Sequence, residues 1–361
     1  MILTIIVFLI VLGLLVIVHE FGHFIVAKKT GVKVEEFAVG FPPRLFSRKR
    51  GETEYSINAI PLGGYVKMLG ELEHSSDKRA FENQKPIVRF WISIAGVIMN
   101  IVLAWVLLSI GFTVGMSPIV SSPDSIPGKR LSTEIIMADV SKDSPADKAG
   151  IQAGDVVLSA LSDGSSTNFS SLEQFDEYNT NHKSKTVIYS LKRNNETINK
   201  EVTLSDDSDS QLGVAIVEKA EIRVPWYKAP VVAMQETYRI ARLTFEFLGA
   251  FFAKLFIHGQ LEKEVGGPVA IYTYTGLALQ AGFMVLLQFV ALLSINLALI
   301  NILPFPALDG GRLVFIILER FFGKKVVKEN VENIIHTIGF ALLIIFILAI
   351  TYQDITKLFQ K

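Results

Sequence analysis

Four long apolar runs divide the chain. The first, Met1 to Ala27, is longer than the core of a signal peptide and lacks both a basic start and a small-residue cleavage site, so it predicts a retained membrane-spanning helix. The second, Pro86 to Val114, has Asn100 as its one strongly polar interior side chain and is long enough to span with tilt. The third, Phe283 to Leu303, runs into Pro304 and Pro306, and the fourth covers Ile334 to Tyr352. Between the first two runs, VKVEEFAVGF and ETEYSINAIPLGGYVKM alternate around a basic turn and predict a β-hairpin. Between the second and third, strand-like stretches with Gly, Asp and Ser turns and one short helical stretch predict a small α+β domain. From Pro225 to Gly259 the period is helical, and Lys228, Glu236, Arg239, Arg242 and Glu246 break its apolar surface. This suits an amphipathic helix on the membrane surface better than a fifth span.

The predicted architecture is therefore a polytopic α-helical membrane protein of about four spans. Its parts are a first span (1–30), a membrane-associated hairpin and loop (31–85), a second span (86–115), an inserted domain (116–222), a surface helix (223–260), a third-span region (261–311), and a loop with the fourth span (312–361).

Charge then orients the spans. About a dozen Lys and Arg lie between the first two spans, and Arg312, Arg320, Lys324, Lys325 and Lys328 follow the third, which places both segments in the cytoplasm. The inserted domain, with about seventeen acidic residues against about ten basic, falls on the other side together with both termini. A fifth span would move the basic segment after the third span outside, against this rule. The formal net charge of +0 and the lack of a Lys/Arg block with interleaved aromatics give no argument for a nucleic-acid partner, and the lipid bilayer is the partner to expect. With no cysteine, any metal must use His, Asp or Glu.

Candidate chemistry sits in HEFGH, inside the first apolar run. His19 and His23, four apart on a helix, point at one place, and Glu20 reaches it from the side, as in a zinc pair with a built-in base. An ionisable residue at the bilayer centre costs roughly 2.5–3.5 kcal/mol, so it points to function. The bland alternative, histidines snorkelling at the helix end, requires His19 to bridge about 13 Å of helical rise to Lys28. A hydrolytic zinc site usually has three protein ligands. His74, His182, His258 and His336 are poorly placed, whereas Asp309 follows a proline-broken span in NILPFPALDGG, where a carboxylate without a cation is costly. DGG by itself is only a turn signal.

SPADKAGIQAGDVVLSA, with Pro145, Ala146, Ala149, Gly150, Gly154 and Asp155, resembles a PDZ domain, which implies a groove for an extended peptide ligand; a generic small β-rich domain is the alternative. HEFGH, PLGGYVKMLGE at Pro61 to Glu71, the PDZ-like insert and NxxPxPxLDGG at Asn301 to Gly311 occur in one order. Together they resemble the site-2 protease family, in its bacterial RseP-like branch of intramembrane zinc metalloproteases, here with a single PDZ domain. The resemblance implies a Zn2+ cofactor held by His19, His23 and Asp309, with Glu20 as the catalytic glutamate. It implies substrate contacts at Asn296 and Asn301. Gly96 and Asn100 resemble a GPxxN element in which Val97 replaces proline, and Arg312 stands where many relatives carry histidine.

A helical substrate must unwind before its scissile bond is reached, and the hairpin around Gly63 and Gly64 offers an edge for the resulting strand. The expected function is an intramembrane zinc endopeptidase acting on single-span membrane proteins in a bacterial cytoplasmic membrane, with the active site toward the cytoplasm. By resemblance, the targets are anti-sigma factors or remnant signal peptides. A non-proteolytic PDZ-containing membrane adaptor with a structural metal site is the alternative, disfavoured because such a site needs no base.

Overall fold

The computed structural model describes residues 2–71, 73–193, 196–206, 211–258, 266–323 and 329–359. Lys324, Lys325 and Lys328, used above to place the cytoplasm, and the boundary at 260 and 261 lie outside the described residues. In chain order the elements begin with α1 (Ile2–Lys29), β1 (Val34–Arg50), β2 (Thr53–Met68), α2 (Pro86–Val114), β3 (Lys129–Val140), α3 (Pro145–Lys148), β4 (Val156–Ser162) and β5 (Ser165–Thr167). They continue with α4 (Leu172–Asn181), β6 (Thr186–Arg193), β7 (Glu196–Thr203), β8 (Val214–Arg223), α5 (Ala229–His258), α6 (Pro268–Ala281), α7 (Phe283–Asn301), α8 (Asp309–Phe322) and α9 (Glu329–Phe359). Two compact units result, Met1–Gly111 with Pro230–Lys361, and Phe112–Ala229.

In the first unit, α1, α2, α7 and the Ile334–Lys357 stretch of α9 are long and apolar enough to cross a membrane. Lys28 and Lys29 end α1 where cations suit the helix C-terminus, and Thr30 Oγ1 donates to the Val26 carbonyl at 2.8 Å. Val11, Leu15 and Val290 are buried together against Leu103, Leu107, Leu293 and Leu297, which packs α1, α2 and α7 into one bundle. Gly22 lets α1 and α2 touch, since a Cβ there would lie 2.4 Å from the Ala95 carbonyl oxygen.

The hairpin is longer than its alternating stretch predicts: β1 continues past Phe41 through the basic RLFSRKR segment, and the turn falls between Arg50 and Thr53. Arg44 pairs with Glu36 of its own strand at 2.8 Å and with Glu54 of β2 at 2.7 Å, so the basic half of β1 folds back toward its first half. Residues 36–39 of β1 pair with 64–67 on one edge and with 54–57 on the other, so β2 passes from one edge to the other through residues 58–63, where Pro61 has no N–H to donate and Gly63 has φ +148. Phe24 meets Phe37 and Tyr55 at 5.2 and 6.0 Å between ring centroids, anchoring the hairpin on α1.

Two helices of this unit differ from the sequence reading. The third-span region holds α6 as a separate helix before α7, broken at Gly282 with φ +112. Phe8 stands edge-on to Tyr272 of α6 at 5.8 Å, and the Asp354 carboxylate accepts from Gly267 N and Ala270 N at 2.8 and 3.0 Å, capping α6 from α9. The segment after LDGG, read as a loop, forms α8 with Leu313 and Ile316 buried.

The second unit is a sheet in the order β7–β6–β4–β3–β8, with β5 beside β4. Ile135, Met137, Phe175, Tyr189 and Leu191 form its core. It carries two helices where the sequence shows one, because α4 has a polar face and only Phe175 and Asn179 buried. Ser144 and Ser171 cap α3 and α4 by accepting from Asp147 N and Gln174 N. Arg193 grips the buried Asp155 carboxylate at 2.6 and 2.7 Å, and Gln152 N donates to the same group at 2.9 Å. Burial pushes this carboxyl's pKa up, but the Arg193 fork and the Gln152 N–H outweigh that and hold it below the usual value.

Candidate metal centre

Helical spacing on α1 stacks His19 over His23, and both imidazoles are buried against α2. Their Nε2 atoms lie 3.2 Å apart, and Asp309 Oδ2 lies 3.0 Å from that of His19 and 3.3 Å from that of His23. Asp309 opens α8, where the helix N-terminus favours an anion. Its approach depends on backbone contact: a Cβ at Gly310 would lie 2.1 Å from the Leu303 carbonyl oxygen, and one at Gly311 would lie 2.4 Å from that of Phe305. Ala307, at φ +79, turns the chain between α7 and α8, and its N–H donates to His336 Nδ1 at 3.1 Å. His336 thus braces this loop and stands outside the His19, His23 and Asp309 cluster.

The outer ring nitrogens fit a metal. His23 Nδ1 lies 2.7 Å from the Ile92 carbonyl, which can only accept, so Nδ1 carries the proton and Nε2 keeps its lone pair for an ion. His19 Nδ1 faces the Asn100 side-chain amide at 3.3 Å. Asn100 is fully buried with Oδ1 lacking a partner among the described residues, and turning the amide over brings that acceptor onto His19 Nδ1–H. Gly96 leaves the room, since a Cβ there would lie 2.5 Å from His23 Nε2 and 2.6 Å from His19 Nε2. Three convergent donors at hydrogen-bonding distance from one another match a zinc site that keeps one position open.

A cavity of about 210 Å3 opens beside the cluster, lined by Val16, Glu20, Leu297, Asn301 and Leu308 along with His19 and Asp309. Glu20 makes no hydrogen bond among the described residues, which leaves its carboxylate available to a molecule in the cavity. Asn301 Nδ2 lies 3.5 Å from His19 Nε2. Asn296 is elsewhere: five residues along a helix turn it about 140° away, and its Oδ1 accepts from Thr244 of α5 at 3.3 Å. Gly64 lies beside the site, its missing Cβ 3.7 Å from Glu20 Cγ, whereas Gly63 packs under Phe41. Arg312, one turn into α8, pairs with Glu71 and lies over the Phe81 ring at 5.9 Å, tying the Asp309 helix to the segment after β2. Sequence reasoning missed this pair, which joins residues 241 apart.

Peptidase family M50 matches residues 7–346 of the chain. A Clostridium acetobutylicum protein carrying a provisional zinc metalloprotease name is 36% identical over 98% of this chain and 97% of its own length. Zinc metalloprotease RasP of Shouchella clausii is 30% identical over 99% and 100%. Among solved structures, the PDZ domain of an SdrC-like protein from Listeria monocytogenes is 24% identical over 23% of this chain and 86% of that one, with a TM-score of 0.20. With a family match spanning nearly the whole chain and relatives aligned end to end, this chain belongs to peptidase family M50, the site-2 protease family of zinc metalloproteases.

Proposed function

We propose that the chain is an intramembrane endopeptidase that cuts peptide bonds within or near the membrane segment of single-span proteins. His19, His23 and Asp309 hold the zinc ion and Glu20 is the general base. The observation that carries this reading is the convergence of two Nε2 atoms from α1, a helix long enough to cross a bilayer, with the Asp309 carboxylate oxygen of α8, beside Glu20, which makes no hydrogen bond among the described residues. Zinc in such a donor set supplies Lewis acidity and makes water a readier nucleophile. Glu20 takes the proton from the attacking water and delivers it to the leaving amine, so no covalent enzyme adduct forms. Asn301 lines the cavity and donates to a substrate carbonyl. The strand that resumes at Gly64 beside Glu20 pairs with the unwound substrate segment.

The second unit, read as a PDZ domain, holds or excludes substrates through a peptide groove. The setting is a bacterial cytoplasmic membrane, with the active site toward the cytoplasm. This orientation rests on the lysines and arginines of the hairpin segment.

The deciding assay uses purified full-length protein with a model single-span substrate. Wild type cleaves; Glu20→Gln keeps its zinc but loses cleavage by at least about a hundredfold; chelation stops the wild type and added zinc restores it. A zinc-loaded Glu20→Gln protein that still cleaves removes Glu20 from its role. A zinc-loaded wild type that cleaves no membrane substrate favours the adaptor.

A further inference from the structure

The second unit holds a cavity of about 530 Å3 with no part in the reading above. Its walls come from Thr113 in the last turn of α2, from Pro127–Lys129 entering β3, and from Arg223–Trp226 and Lys228 leaving β8. Lys129, Arg223 and Lys228 line it, and no carboxylate does. Lys129 and Arg223 are paired residues at the ends of β3 and β8, which fixes two of the cations side by side. Among the described residues none of the three is in an ion pair; Asp124 and Glu218 are both engaged by Arg130. Glu221, exposed on the same strand as Arg223, lies outside the lining.

A second observation concerns the rim. Trp226 is 76% exposed and Tyr227 61% exposed, and they sit beside Pro225 immediately before α5. Thr113 is one residue from the end of a helix long enough to span the membrane. Exposed Trp and Tyr at a span end take the headgroup level, where rings keep one side apolar and one wet. Cations at that level attract the phosphates of anionic lipid headgroups.

We propose that this cavity binds the phosphate-bearing headgroup of an anionic phospholipid, with Lys129, Arg223 and Lys228 around the phosphate and Trp226 and Tyr227 seated among neighbouring headgroups. The aromatic rim and the adjoining span end favour a membrane lipid over a soluble phosphate. The inference depends on α2 crossing the membrane and is independent of peptide hydrolysis.

The test uses full-length protein carrying Trp91→Phe and Trp105→Phe, so that Trp226 is the one remaining tryptophan, in nanodiscs doped with brominated phosphatidylglycerol or brominated phosphatidylcholine. Half-quenching of Trp226 is expected at an on the order of tenfold lower fraction of the anionic lipid. Lys129→Gln with Arg223→Gln and Lys228→Gln abolishes that preference, whereas Lys129→Arg with Lys228→Arg keeps it. Equal quenching by the two lipids overturns the proposal, as does a preference that survives the triple substitution or disappears equally in the charge-keeping variant. Competition by millimolar inorganic phosphate overturns the lipid assignment in favour of a soluble anion.

Discussion

Asn100 has a buried oxygen without a partner among the described residues and an imidazole in front of it. If its amide fixes the His19 tautomer, Asn100→Ala lowers zinc affinity by about 10–100-fold, and Asn100→Asp, which restores an acceptor, recovers most of it. Competition with a chromophoric chelator measures both, and unchanged affinity in Asn100→Ala would remove the residue from the site. Gly96 is held by the same geometry, because one methyl group would stand inside both imidazoles. The motif HEFGH was legible in the sequence: four-residue spacing in an apolar run leaves few other meanings. The partners on α2 were legible only as a pattern. The spacing of Gly96 and Asn100 says that they share a helix face, but which face meets α1 is set by the Gly22–Ala95 contact, a property of packing.

At the scale of elements, the passage of β2 through residues 58–63 brings Gly64 to Glu20. Gly64→Val places a branched side chain against the Ala38 carbonyl and the Glu20 stem, and cleavage of the single-span substrate should fall roughly tenfold or more while zinc content stays at the wild-type level. Zinc analysis on the assayed sample separates the two effects. Loss of zinc together with activity would make the strand a support of the metal site instead of a guide for substrate. The hairpin could be foreseen from its alternation, although the basic half of β1 could not, since charged residues on an exposed strand read as a turn. The helix α8 stayed hidden because Gly310 and Gly311 at its start signal a turn, and their helical role depends on the carbonyls of residues 302–305 lying against them. Asn296 and Asn301 looked equivalent in sequence, and helical rotation alone sends one to Thr244 and the other to the cavity.

Across the whole molecule, each compact unit has its own core, so damage to one should leave the other intact. Asp155→Asn removes the charge that Arg193 grips and should destabilise Phe112–Ala229 by roughly 2–3 kcal/mol, with zinc content unchanged. Because the Asp155 carboxyl lies below its usual pKa, its stabilisation is fully present above the ordinary carboxylate range and fades as pH falls through the depressed value. Hydrogen exchange resolved by segment should therefore show faster exchange in this unit for Asp155→Asn at neutral pH, and a shrinking difference from wild type in acid. Equal protection at neutral pH would show that the pair adds nothing. The division itself was visible in the sequence as a change from apolar runs to turn-rich alternation, whereas the strand order was not, because β8 joins β3 across the whole unit. One consequence concerns synthesis. His19 and Asp309 stand 290 residues apart with a complete unit between them. At ribosomal speeds of about 5–20 residues per second, the two histidines wait roughly 15–60 s for their carboxylate. A chain interrupted anywhere in that interval carries the base and two donors but no third, so unfinished copies cannot become active proteases in the membrane that receives them.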